Sequence, residues 1–144
     1  MAKKGLHTLI RVRQWEVDEK QRALGVLLRE EEAVLAAQAA LARALAAEKA
    51  RLAEAAPREH MTFEAYVRRC RQQREALDAA LVLVRRKIDA ARDELADAYR
   101  RLKTFEITQQ QRDAAVEKEE NRIAQIVQDD MGIELHRRKA VRGR

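Results

Sequence analysis

The chain has 144 residues, of which 38% are charged and 3% aromatic, with four glycines, one proline and one cysteine. Ala, Leu, Glu, Arg and Lys dominate and alanine inflates the 47% apolar share, which excludes an ordinary globular core in favour of a narrow seam between helices. The net charge of +6 sits at the ends: the last eight residues carry five bases and no acid, Lys3 and Lys4 add two, and residues 5 to 136 set 23 bases against 24 acids, the mixed face of a solvated coiled coil.

Ala2 to Gly5 read as a short flexible lead. Helix one is expected over about residues 6–56. Its heptad frame takes Ile10, Val17, Leu24, Glu31, Gln38, Leu45 and Leu52, with companions Leu6, Arg13, Lys20, Leu27, Val34, Leu41, Glu48 and Ala55. Thirteen alanines between Ala33 and Ala56 replace bulk in this seam with closeness of the helix axes. Gly25 interrupts the helix at a cost of about 1 kcal/mol relative to alanine and marks a bend or a close contact. Trp15 falls at the outermost heptad position, so the only tryptophan is expected to be exposed, where such a side chain suits a partner contact.

The one turn signal is the segment 57–61, opened by Pro57, which lacks an amide donor and disfavours helical geometry in the residue before it. Thr62 reads as the N-cap of helix two, with Glu64 in the first turn and Met61 packing on Tyr66 as a hydrophobic staple. Helix two is expected over about residues 62–136, followed by a disordered basic tail, 137–144. From Val67 every seventh residue gives Val67, Arg74, Leu81, Ile88, Leu95, Leu102, Gln109, Val116, Ile123 and Asp130. The companions are Cys70, Leu77, Val84, Ala91, Ala98, Phe105, Arg112, Glu119, Ile126 and Ile133. Gln109, Arg112 and Glu119 interrupt this ladder and set register or meet polar partners, at a cost in stability.

Two apolar-striped helices joined by one short turn predict an all-α fold, an antiparallel two-helix coiled-coil hairpin forming a single domain. A fold near residue 59 sets Leu52 opposite Val67, Leu24 opposite Leu95 and Ile10 near Gln109. Helix one then runs out near residue 113. The rest of helix two is a C-terminal overhang whose stripe, with Val116, Ile123, Ile126, Val127 and Ile133, has no partner within the chain, and Gly132 is the place for it to fray.

Chemistry is absent from this pattern. There is no glycine-rich phosphate loop, paired-histidine helix, cysteine pair or nucleophile elbow, and a two-helix scaffold has no concave pocket that excludes water. His7, His60 and His136 lie far apart along the hairpin, and carboxylates alternate with bases at helical spacing, as in Glu16 with Lys20 and Asp18 with Arg22. No enzyme activity, metal or cofactor is expected. Cys70 lies in the seam as a small apolar residue, and with no signal sequence the lone cysteine points to a cytoplasmic setting. No run is long and apolar enough to span a bilayer. The basic tail lacks stacking aromatics and supports only weak, salt-sensitive phosphate binding, not specific nucleic-acid recognition.

With these residues in view, the chain resembles the flagellar export protein FliJ family over nearly its whole length. The first helix carries Leu6-x-x-Leu9, Glu16-Val17-Asp18, Arg22 and Leu24-Gly25. The second opens with Phe63-x-x-Tyr66-Val67 and continues with Leu102-x-x-Phe105, Gln111-Arg112, Ala114-Ala115 and Glu120-Asn121-Arg122. The resemblance implies a stalk-like component of the type III export apparatus, cytoplasmic and peripheral to the inner membrane at the flagellar base. It implies binding to the export ATPase ring and to the cytoplasmic domain of the export gate, and contact with export chaperones. Carried over residue by residue, it places ATPase contacts at Leu6, Ile10, Trp15, Phe105, Arg112, Val116, Arg122, Ile123 and Ile126. It places gate contacts at Leu41, Tyr66, Cys70, Gln73 and Leu77, although Ala44 and Glu48 stand where the family carries bulky or aromatic residues. A structural coiled coil that dimerises through the overhang is the alternative without the resemblance.

Overall fold

The computed structural model describes residues 2–143, and side chains from Leu6 onward. Two helices account for nearly all of it: α1, Ala2–Leu52, and α2, Pro57–Arg142. The expected all-α hairpin is what the chain forms.

The break between the helices lies at residues 53–56, ahead of the position read from the sequence, and α2 begins at Pro57 itself. Proline acts on the residue before it, so Ala56 leaves helical geometry. At the first helical position the missing N–H of Pro57 removes a donor that had no intrahelical acceptor. The Ala56 carbonyl accepts from Glu59 N at 3.0 Å, and Glu54 N and Ala55 N donate back to Arg51 and Leu52 at 3.3 and 3.1 Å, which closes the turn without any positive φ among the described residues. Thr62 is therefore inside α2 rather than its cap: its hydroxyl donates to the Glu59 carbonyl at 2.9 Å. Met61 is 79% exposed and forms no staple.

The chain divides into two compact units, one formed by Gln14–Tyr99 and one by the residues up to Arg13 together with those from Arg100 onward. In the first, the turn unit, the seam follows the heptad frame. Val17 on α1 and Cys70, Val84, Ile88 and Ala98 on α2 are buried, and the other frame positions are half-covered, with Arg74 alone exposed. No described side chain is fully buried. A half-covered leucine or valine contributes on the order of 1 kcal/mol by area, so stability here is a sum of many small contacts. Polar bonds cross between the helices, among them Lys20 Nζ to Glu94 Oε2 at 2.8 Å, Arg85 Nε to Glu31 Oε1 at 3.1 Å, and Gln38 Nε2 to Asp78 Oδ1 at 2.8 Å. As the α1 number rises the α2 number falls, which is antiparallel pairing. Each α2 partner precedes the position set by a fold at residue 59, which would be 99, 88 and 81, in keeping with the earlier turn. Lys20 thus bonds across the seam to Glu94, and Arg22 pairs with Glu19. Gly25 has nothing within 4 Å of the position a Cβ would take, so it marks no close contact.

In the terminal unit Leu6, Leu102 and Gln109 are buried, Ile10 and Phe105 are half-covered, and the Arg13 guanidinium lies 5.5 Å from the Phe105 ring centre, a cation–π contact. From Gln110 to Gly143 every residue is exposed. The helix continues through Gly132 and through most of the basic tail, to Arg142, where fraying and disorder were expected. Pairs one turn apart support it: Glu119 with Arg122 at 2.7 Å, Gln125 with Asp129 at 3.1 Å, and Glu134 with Arg138 at 3.3 Å. Lys139 and Arg142 in the last turn also oppose the negative end of the helix dipole.

Candidate functional site

The overhang is the first candidate, because it joins a continuous helix to a complete lack of cover. At 1.5 Å per residue, residues 110–142 run about 50 Å. Along them Val116, Ile123, Ile126, Val127 and Ile133 are 37 to 62% exposed. Met131, Leu135 and Val141 add apolar surface off the heptad frame. A single helix in water has only its weak propensity and local pairs to hold it, so a stripe of this kind gains stability from any surface that covers it. Between the apolar positions the charge is segregated. Residues 113–135 carry seven acids and two bases, and residues 136–143 carry four bases and no acid.

The residues read from the sequence as ATPase contacts divide sharply. Val116, Ile123 and Ile126 lie on this open stripe, with Arg112 and Arg122 exposed beside them. Arg122 is held by Glu119, and its hydrogen bonds draw the Glu119 carboxyl below its ordinary pKa and raise that of Arg122. Leu6 is buried, and Ile10 and Phe105 are half-covered, so these three support the base of the overhang instead of offering a free face. Trp15 is 61% exposed, as its heptad position predicts, and belongs to the turn unit.

The second candidate lies wholly in the turn unit. Leu41, Leu45, Val67 and Cys70 floor a groove of about 670 Å³ whose rim includes Lys49, Arg71 and Arg74, with Gln38 and Asp78 at one end. Its origin is local. Ala42 and Ala46 present no bulk to fill the space beside the seam, and Arg74 turns out to solvent from a frame position that an apolar residue would occupy. The alanines read as a device for closeness here leave an opening. The sequence signal for it was available, a base in the ladder on α2 near two alanines of α1. Of the residues read as gate contacts, Leu41 and Cys70 line the groove, Tyr66 and Leu77 are half-covered, and Gln73 is exposed. A hydrogen bond to Cys70 raises the Tyr66 phenol above its ordinary pKa, with desolvation adding to the shift. The Phe63 and Tyr66 rings stand 6.4 Å apart at 34°.

Among the described residues no three metal-ligating side chains cluster, and no helix is long and apolar enough to cross a membrane. Comparisons of the chain with known family models, with characterised proteins and with solved structures return no match.

Proposed function

We propose that this protein is a non-enzymatic, stalk-like coupling factor of the flagellar type III export apparatus. In this reading the overhang docks in the export ATPase ring and the groove beside Cys70 takes the cytoplasmic domain of the export gate, with export chaperones as further partners. The protein then works in the cytoplasm and reaches the membrane only through those partners. The resemblance in sequence motivates the reading, and the observation that carries it is the overhang. A helix about 50 Å long with Val116, Ile123 and Ile126 exposed is suited to insertion among the subunits of a ring, where cover comes from more than one side. Half-covered Leu41 and Leu77 around buried Cys70 offer the second partner an apolar patch with basic residues at its rim.

The test is direct. Added to the cognate export ATPase, the intact protein is expected to raise both hexamer formation and ATP hydrolysis, and a chain lacking residues 114–144 to do neither. Hydrolysis and ring formation unchanged by the intact protein would count decisively against the proposal.

A further inference from the structure

The overhang carries within itself a pattern that fits a second copy of the same helix in one orientation. In an antiparallel pair, each first heptad position of one helix faces the companion position of the other. Running residues 116–140 of one copy against 140–116 of another sets Val116 opposite Ala140, Glu119 opposite Arg137 and Ile123 opposite Ile133, each pair occurring twice by symmetry. Ile126 faces Asp130, the mismatched core layer. A parallel pair in register has no such fit, since Glu119, Asp130 and Arg137 would each meet their own likeness across the seam. The charge of the whole segment repeats the preference. Residues 113–122 carry four acids and two bases, and residues 134–143, which lie opposite in the antiparallel pair, carry one acid and four bases. The length agrees as well. Among the described side chains burial along α2 ends at Gln109, and α2 ends at Arg142, so residue 113 of one copy lies opposite the end of its partner's helix.

We propose that two copies of this chain associate through their overhangs as an antiparallel helix pair, selected by the Glu119–Arg137 layer and the acidic-to-basic gradient along residues 113–142. The pairing covers Ile123, Ile126, Val127 and Ile133, the surface that any other partner of the overhang must use. Self-association and capture by a second partner therefore exclude each other, and a tight partner draws the dimer apart by mass action. The pairing does not depend on the export reading, since it follows from the residues of the overhang alone.

Sedimentation velocity on the full chain tests it across a concentration series, at low and high salt. The mass is expected to double with rising concentration and to fall back toward monomer as salt screens the gradient. E119R and R137E each place like charges in two layers and are expected to weaken the dimer about tenfold or more. The double variant E119R/R137E restores opposite charges only in an antiparallel pair and is expected to recover the affinity of the unmodified chain. Circular dichroism on each variant checks that helicity is kept. A chain that stays monomeric at its highest soluble concentration overturns the proposal. So does a dimer that the double variant fails to restore, since that result assigns the contact to another surface or another orientation.

Discussion

Among the described residues Gln109 is the only buried polar side chain, and it sits where burial along α2 ends. Its Nε2 donates to Asp113 Oδ1 at 2.7 Å, while Oε1 is buried without a hydrogen-bond partner among the described residues. A buried acceptor left unsatisfied costs about 1–3 kcal/mol, and leucine in the same seam position would recover that cost and add apolar contact. Gln109→Leu is therefore expected to raise the stability of the folded chain by about 1 kcal/mol, read as a higher urea midpoint at unchanged slope. What the glutamine supplies in exchange is register, because a polar group at one seam position penalises pairings that bury it elsewhere. A midpoint that stays level or falls in the leucine variant would show that Oε1 is satisfied in solution and that Gln109 stabilises as well as specifies.

At the level of the elements, Pro57 alone separates two helices. The turn residues Ala53, Glu54, Ala55 and Ala56 are good helix formers with no glycine among them, so nothing but the proline disfavours one unbroken helix there. Pro57→Ala is expected to release that restraint and allow α1 and α2 to join into a single helix that recovers its seam by pairing with a second molecule, a domain-swapped dimer. Size-exclusion chromatography with light scattering on P57A in a chain lacking residues 114–144 separates this from pairing through the overhang. A variant that remains monomeric would show that seam packing alone closes the turn. The same proline illustrates what was legible in the sequence. The heptad frame placed the seam correctly at nearly every position from Leu6 to Gln109, because period and burial are the same physical fact. The turn was misplaced because a proline can end one helix or begin the next, and only the observed hydrogen bonds of Ala56 and Glu59 decide which. The tail was misread for a related reason, since composition showed its charge but not the Glu134 pairs with Arg137 and Arg138 that carry the helix onward.

For the molecule as a whole, the consequence is an uneven distribution of stability. Residues 14–99 share a seam within the turn unit, and within the terminal unit residues 100–109 include buried Leu102 and Gln109, whereas residues 110–143 depend on local hydrogen bonds and pairs one turn apart, each worth about 0.2–0.5 kcal/mol. The candidate site was readable to the same extent as the seam. The exposure of Val116, Ile123 and Ile126 followed from counting back from the turn, although that count set the end of cover near residue 113 and it falls at Gln109, because the turn lies earlier; the groove beside Cys70 did not follow, because it arises from missing bulk that no heptad pattern records. Hydrogen exchange turns this contrast into a measurement. In dilute solution, where the overhang is uncovered, the amides of Val84, Ile88, Ala98 and Leu102 should exchange at least about a hundredfold more slowly than those of residues 116–135, since the former require the seam to open and the latter only local fraying. Raising the protein concentration or adding a partner of the overhang should then slow exchange selectively in residues 116–140, with little change in the seam. Equal protection throughout α2 at high dilution would mean that the overhang is held by contacts of its own, and a covering partner would no longer be needed to explain its apolar stripe.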